Sequence, residues 1–373
     1  MRGCRGGRVR RSPIIVALGL AAALAAGLAI PYRLRLQPRS APEEALTRAS
    51  DGAPLRVGLW RPAPGTQVPR AAVVFVHSPG GALATPYVML YEALAREGML
   101  VAVPWLRGYR GGHRPADPFE PARWDPLPDI AGAFALARAQ PEVAPSRIFV
   151  VGHSLGGGYA LLFGLTESTV AGVVSLSRLD MKSRLSEWPG YFDDSRRSFS
   201  GALGLQTPMS SEVFTQFAEA QIFAFERAEA LLQSAPHPRL LLGIGSRERR
   251  SDQAWLAGYA SRAAGAVQYH EFEGLTHSLN VHCAPAGVCA YDRRVIPRVA
   301  SLLARWMRGE PLKGQMSPFG GLDPAVAHER RPDPGRVPKS SRMSGFELPC
   351  RGRPADISPP GELRFARGLL RPL

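Results

Sequence analysis

The sequence predicts an α/β fold: a mostly parallel central sheet, helices on both of its faces, and a small helical cap insertion. Three observations predict it. Short, continuously apolar, β-branched runs such as Ala71–Val76 and Ile148–Val151 recur through the middle of the chain, as strands buried on both faces require. Stretches of helical periodicity separate them, so successive strands are joined by crossovers. The composition, 45% apolar and 21% charged over 373 residues, is that of a globular protein with a sizeable core. It excludes a wholly disordered chain, a coiled coil and a multi-span membrane protein.

In chain order, Leu55–Arg61 alternates before a Pro/Gly turn and reads as an edge strand. Ala71–Val76 is the first buried strand. Tyr87–Glu97 is helical and stops before Gly98. Leu100–Val103 is a second buried run, and Ile130–Ala139 a helix following Asp129. Ile148–Val151 is a strand, Leu155–Leu165 a helix, and Val170–Leu176 a strand. About sixty residues then intervene, too many for a simple crossover. They include a helical run, Glu212–Leu232, and residues 177–238 are expected to form the cap over the open end of the sheet. Its aromatics (Phe199, Phe214, Phe217, Phe223, Phe225) suit helix packing, and some of them a substrate pocket. Arg239–Ile244 is a strand, Gln253–Ala264 a helix, Val267–Phe272 a strand and Val295–Arg308 a closing amphipathic helix.

The net charge of +15 sits in the flanks: +8 over residues 1–39, +4 over 309–373 and +3 over 40–308. A basic nucleic-acid face on the folded domain is therefore not expected. Residues 1–39 read as a signal peptide or an N-terminal membrane anchor. Arg2, Arg5, Arg8, Arg10 and Arg11 precede a charge-free run from Pro13 to Ile30 that ends on Gly27-Leu28-Ala29. The chain is then exported, periplasmic or extracellular, or held at a membrane by this one segment, its basic end inside. Residues 312–373, rich in Pro, Arg and Gly, lack apolar periodicity and read as a disordered tail. Cys283 and Cys289 are close enough in sequence for a disulfide in an exported domain. With His277 and His282 they are also neighbours of metal-ligand type, but the spacing matches no zinc pattern, so no metal is expected.

The chemistry concentrates at Gly152-His153-Ser154-Leu155-Gly156, between a predicted strand and a predicted helix. A turn this short strains the central residue, so its neighbours at −2 and +2 must be small. Gly157 and Gly158 then allow close packing of the helix. The turn lifts Ser154 Oγ above the carboxyl edge of the sheet, at a helix N-terminus that favours negative charge.

With Val76-His77-Ser78-Pro79-Gly80-Gly81, Trp105-Leu106-Arg107-Gly108-Tyr109-Arg110-Gly111-Gly112, Ala144-Pro145-Ser146-Arg147-Ile148 and Gly274-Leu275-Thr276-His277, this turn makes the region 50–308 resemble an α/β-hydrolase. The resemblance is to the dienelactone-hydrolase and prolyl-oligopeptidase-like branches. It implies a serine nucleophile, an acid and a histidine in that chain order, with no metal or organic cofactor. His277 is the expected base. His282 comes second, and His270 falls inside a strand, where packing is its expected role. The acid should follow Arg239–Ile244. Glu248 lies three residues past Gly245, as the family's aspartate does, and Asp252 is the alternative, with an N-cap role open to it. Asp180 is an outside option. The oxyanion hole is expected from the Leu155 N–H and from Ser78 or Gly80, because Pro79 has no N–H to give. His77 is expected to brace its loop. The resemblance implies hydrolysis of carboxylic esters on a small-molecule acyl substrate. A peptidase, an acyltransferase with the same triad, and a non-catalytic binding protein on the same fold are the alternatives.

Overall fold

The computed structural model describes residues 41–64, 70–78, 81–109, 112, 125–178, 189–202, 208–234, 237–263, 267–283, 289–291, 294–310 and 312. The expected N-terminal signal or anchor, the tail beyond 312, Gly80 and Asp180 lie outside these residues.

The strands are β1 Glu43–Arg48, β2 Pro54–Trp60, β3 Arg70–Val76, β4 Leu100–Pro104, β5 Val143–His153, β6 Gly172–Leu176, β7 Arg239–Gly245, β8 Val267–Phe272, β9 Val281–Cys283 and β10 Cys289–Tyr291. The helices are α1 Thr85–Arg96, α2 Leu127–Arg138, α3 Leu155–Thr166, α4 Pro189–Ala202, α5 Ser211–Ser234, α6 Arg250–Arg262 and α7 Val295–Met307. Eight strands form one sheet in the order β1-β2-β4-β3-β5-β6-β7-β8. β2 pairs antiparallel with β1 and with β4, and every other pairing in the sheet is parallel. This is the predicted α/β architecture, with helices over both faces.

The period of two explains the burial. In β3, Ala72, Val74 and Val76 face one core while Ala71, Val73 and Phe75 face the other. In β5, Ile148 and Val150 oppose Phe149 and Val151 in the same way. Helices α2, α3, α5 and α6 cover the first face, and α1 and α7 the second. In α7, Val295, Ile296, Val299, Ala300, Leu303, Ala304 and Met307 recur at helical spacing and are buried. Each fully buried Val or Leu contributes about 1.5–3 kcal/mol. In α4 and α5, Phe199, Phe214, Phe217 and Phe225 are buried, whereas Phe223 is 70% exposed.

The sheet differs from expectation at its edge. The strand expected at Leu55–Arg61 exists, but it lies inside the sheet. β1, which sequence reading passed over, is the edge, and it begins before residue 50. Its sequence, EEALTR, contains two apolar residues and no buried one, so no apolar run marks it. Pairing with β2 makes it a strand. Among the described residues, the region expected to form the cap carries the helices α4 and α5, and the expected run Glu212–Leu232 lies within α5.

Arg107, in the loop after β4, is tied down by a buried network. Its backbone N–H donates to Asp129 Oδ2 at 2.6 Å and its Nη2 to Asp129 Oδ1 at 2.8 Å. Its Nη1 donates to Asp51 Oδ2 at 2.6 Å. The loop quoted in the family resemblance is thereby anchored to the start of α2.

Candidate active site

Because β3, β5, β6, β7 and β8 run parallel, the segments that leave their carboxyl ends lie along one edge of the sheet. The turn after β5 carries Ser154, the turn after β7 carries Glu248, and the loop after β8 carries His277.

Ser154 has φ 54° and ψ −122°, a left-handed conformation that non-glycine residues rarely adopt. The surroundings enforce it. A Cβ on Gly152 would come within 2.1 Å of the Gly156 carbonyl oxygen, and one on Gly156 within 2.1 Å of that of Val76. Both positions must be glycine, as the turn argument required. A Cβ on Gly158 would meet the Phe225 ring at 2.0 Å, which is how closely α5 lies over α3. The Ser154 N–H donates to Leu176 O of β6 at 2.8 Å, fixing the turn to the neighbouring strand.

His277 stands between Ser154 and Glu248. Ser154 Oγ and His277 Nε2 are 3.1 Å apart, and His277 Nδ1 and Glu248 Oε2 are 2.9 Å apart. A carboxylate only accepts, so Nδ1–H donates to Glu248 and Nε2 is left to accept the Ser154 proton. The other carboxylate oxygen, Oε1, accepts from Ser177 Oγ at 2.6 Å and from the Gly245 N–H at 2.8 Å. Burial pushes the Glu248 carboxyl up. The hydrogen bond and charge of His277, with the bonds from Ser177 and Gly245, outweigh it and hold the group below the ordinary carboxylate range.

Asp252 is buried in the first turn of α6, which starts at Arg250 with Arg249 as its N-cap. The bond from His277 Nδ1 runs to Glu248. His270, in β8, packs edge-on against Phe272, and burial lowers its pKa. His282 lies in β9 opposite Ala290. Cys283 stands directly opposite Cys289 in the β9–β10 hairpin. Among the described residues no three His, Cys, Asp or Glu side chains are grouped to hold a metal ion.

His77 braces its loop. Its Nδ1 is 2.9 Å from Ser78 O, and the Leu106 N–H donates to its Nε2 at 3.4 Å. Burial lowers its pKa to about 4, so it is a neutral imidazole at pH 7. Ser78 is buried at the end of β3, whose Val76 is paired with Gly152 of the elbow strand. Leu155 opens α3, where first-turn N–H groups stand outside the helical ladder. The expected oxyanion donors Ser78 and Leu155 therefore flank one strand edge.

Several residues around the site escaped the sequence reading. Asn280, buried and at φ 61°, accepts from the Thr276 N–H at 2.8 Å and donates to Gly274 O at 2.7 Å, closing the loop that presents His277. Gln253 Nε2 donates to Gly245 O at 2.9 Å under the Glu248 turn. Ser177, at φ 52°, holds Glu248 as described. The Tyr87 hydroxyl and His153 Nδ1 are hydrogen-bonded at 2.9 Å, and the His153 ring lies 5.2 Å from that of His277. Asn280 was within three residues of the predicted base, but its role depends on a loop conformation that no local pattern announces.

No protein-family model matches the chain, and no curated protein matches it in sequence. Solved structures do. DcsB in complex with its substrate analogue superposes with a TM-score of 0.53 at 13% identity, over 73% of this chain and 100% of that one. A soluble variant of monoglyceride lipase from Saccharomyces cerevisiae, bound to a substrate analogue, gives 0.52 at 15% identity, over 73% and 97%. A 2,6-dihydroxy-pseudo-oxynicotine hydrolase gives 0.51 at 15% identity, over 73% and 70%. The chain has the α/β-hydrolase fold.

Proposed function

We propose that the protein is a serine hydrolase that cleaves carboxylic esters through an acyl-enzyme on Ser154. The observation that carries this reading is the continuous hydrogen-bonded line from Ser154 Oγ through His277 to Glu248. Ser154 Oγ attacks the ester carbonyl as His277 Nε2 takes its proton. Glu248 holds the imidazole in the tautomer that can accept and favours the imidazolium that forms. The developing oxyanion is received by the Leu155 N–H and a second donor on the loop after β3, for which Ser78 is the described candidate. His277 returns the proton to the leaving alcohol. It then activates water, which attacks the acyl carbon and frees Ser154. The N-terminal segment would export this domain or tether it to a membrane.

The test is Ser154→Ala. A fluorophosphonate probe labels the wild type and not the variant, and hydrolysis of short 4-nitrophenyl esters disappears with the hydroxyl. Equal labelling of both proteins removes Ser154 from the mechanism. A wild type that folds and is never labelled returns the chain to the non-catalytic reading.

A further inference from the structure

Arg178 follows Ser177 directly at the end of β6 and is 2% exposed. Its Nη2 donates to Glu229 Oε1 of α5 at 3.1 Å. Its Nε and Nη1 are buried and meet no hydrogen-bond partner among the described residues. The guanidinium carbon lies 5.1 Å from the Phe225 ring centroid, 5.2 Å from that of Trp255 and 4.8 Å from that of Tyr259. The buried Tyr259 hydroxyl lies beside the guanidinium. Ring faces offset part of the desolvation of a cation, but they do not accept the in-plane N–H groups. A buried cation with unfilled donors is unfavourable unless something fills them.

The position of this group says what fills it. The strand end that bears Arg178 also bears Leu176, whose carbonyl accepts from the Ser154 N–H, and Ser177, which holds Glu248. Phe225 lies over the guanidinium and also against Gly158, in the first turn of the nucleophile's helix. The vacant donors therefore lie between α5 and α6, on the strand end that also carries Ser177. A planar cation between aromatic rings, with its Nε and Nη1 N–H groups unused, matches a planar oxyanion. Glu229 contacts the guanidinium, and Asp252 shares its helical face with Trp255 and Tyr259. These two acids favour a singly charged carboxylate over a phosphate dianion.

We propose that Arg178 receives a carboxylate carried by the substrate, so that the esters this site prefers are anionic. The inference rests on the hydrolase reading above. Matched esters test it. For a carboxylate on the acyl side, 4-nitrophenyl hydrogen glutarate is compared with 4-nitrophenyl pentanoate. For one on the leaving side, 3-acetoxybenzoate is compared with phenyl acetate. The readout is the ratio of kcat/KM for the anionic ester to that for the neutral one. In at least one pair Arg178→Met lowers that ratio by about 10- to 100-fold, the range for charge-assisted hydrogen bonds. Glu229→Gln, which releases the competing carboxylate, raises the ratio in the same pair. Ratios within twofold of wild type in both pairs for Arg178→Met overturn the proposal. If Arg178→Met does not fold, an unchanged ratio in Glu229→Gln overturns it instead. Wild-type protein that hydrolyses none of these esters refutes the hydrolase reading alone. Arg178 is then read by thermal denaturation with glutarate and with 3-hydroxybenzoate: a stabilisation by either that Arg178→Met loses supports the site, and no difference overturns it.

Discussion

Replacing Glu248 by Gln isolates the orienting carboxylate while leaving the shape of the site nearly intact. The carboxylate is used on both sides. Oε1 accepts from Ser177 Oγ at 2.6 Å and from the Gly245 N–H at 2.8 Å, and Oε2 accepts from His277 Nδ1 at 2.9 Å. An amide has one oxygen, and two donors at Oε1 claim it. The NH2 group then stands where Oε2 stood and donates to Nδ1. The imidazole must shift its proton to Nε2, the atom 3.1 Å from Ser154 Oγ. It meets the nucleophile as a donor and has no lone pair to take the proton. The analogous wrong-tautomer substitution elsewhere lowers kcat by about 10⁴, or about 5.5 kcal/mol of barrier. The assay is hydrolysis of 4-nitrophenyl acetate at saturation, with fluorophosphonate labelling rates in parallel. Asp252→Asn, made beside it, should stay within about tenfold of wild type. Folding should survive, since Gln keeps the Ser177 and Gly245 bonds. The folded pKa of Glu248 lies below its ordinary 4.5, so its ionised form stabilises the fold above pH 4.5, a contribution lost as pH falls through the folded value. The stability gap between wild type and Glu248→Gln therefore closes on acidification. A Glu248→Gln enzyme within tenfold of wild type, or an Asp252→Asn enzyme that loses more, would refute the assignment of the acid.

Gly156→Ala should displace the elbow from the loop after β3. Its Cβ would meet the Val76 and His77 carbonyl oxygens at 2.1 and 2.6 Å, and backbone cannot step aside as a side chain can. Urea denaturation should show a loss of about 3 kcal/mol, with ester hydrolysis falling in parallel. Wild-type stability should also fall as pH drops from 7 to 4. Burial, then the like charge of His277, lowers the His153 pKa to about 3, and burial lowers that of His77 to about 4. Both titrate near 6.5 in the unfolded chain, so between these limits the unfolded state binds more protons and stability rises with pH. Each contributes a slope of up to about 1.4 kcal/mol per pH unit. His77→Gln should flatten that slope in urea midpoints measured across the range, and an unchanged slope contradicts a neutral buried His77.

Local sterics and periodicity along the chain specify part of this protein. Continuous β-branched runs such as AAVVFV suit strands covered on both sides, and this one is β3. A strand, a glycine-flanked serine and a helix with no spacer between them can only make a strained turn that presents the hydroxyl. His277 was legible through the family resemblance, which implies a histidine after the acid, in a loop at the carboxyl edge of the sheet. Tertiary structure decided the rest. Glu248 and Asp252 are one helical turn apart in sequence, and what separates them is a hydrogen bond to a histidine 29 residues away. Ser177, Asn280 and Gln253 carry no mark of their own, since each acts only where loops from β6, β7 and β8 converge. β1 has no apolar run and exists through its ladder with β2. Arg178 is buried against side chains of α5 and α6, which lie far from it in sequence. Local conformation follows from neighbours in the chain, whereas the partner of a buried polar group depends on which distant segments the fold brings together.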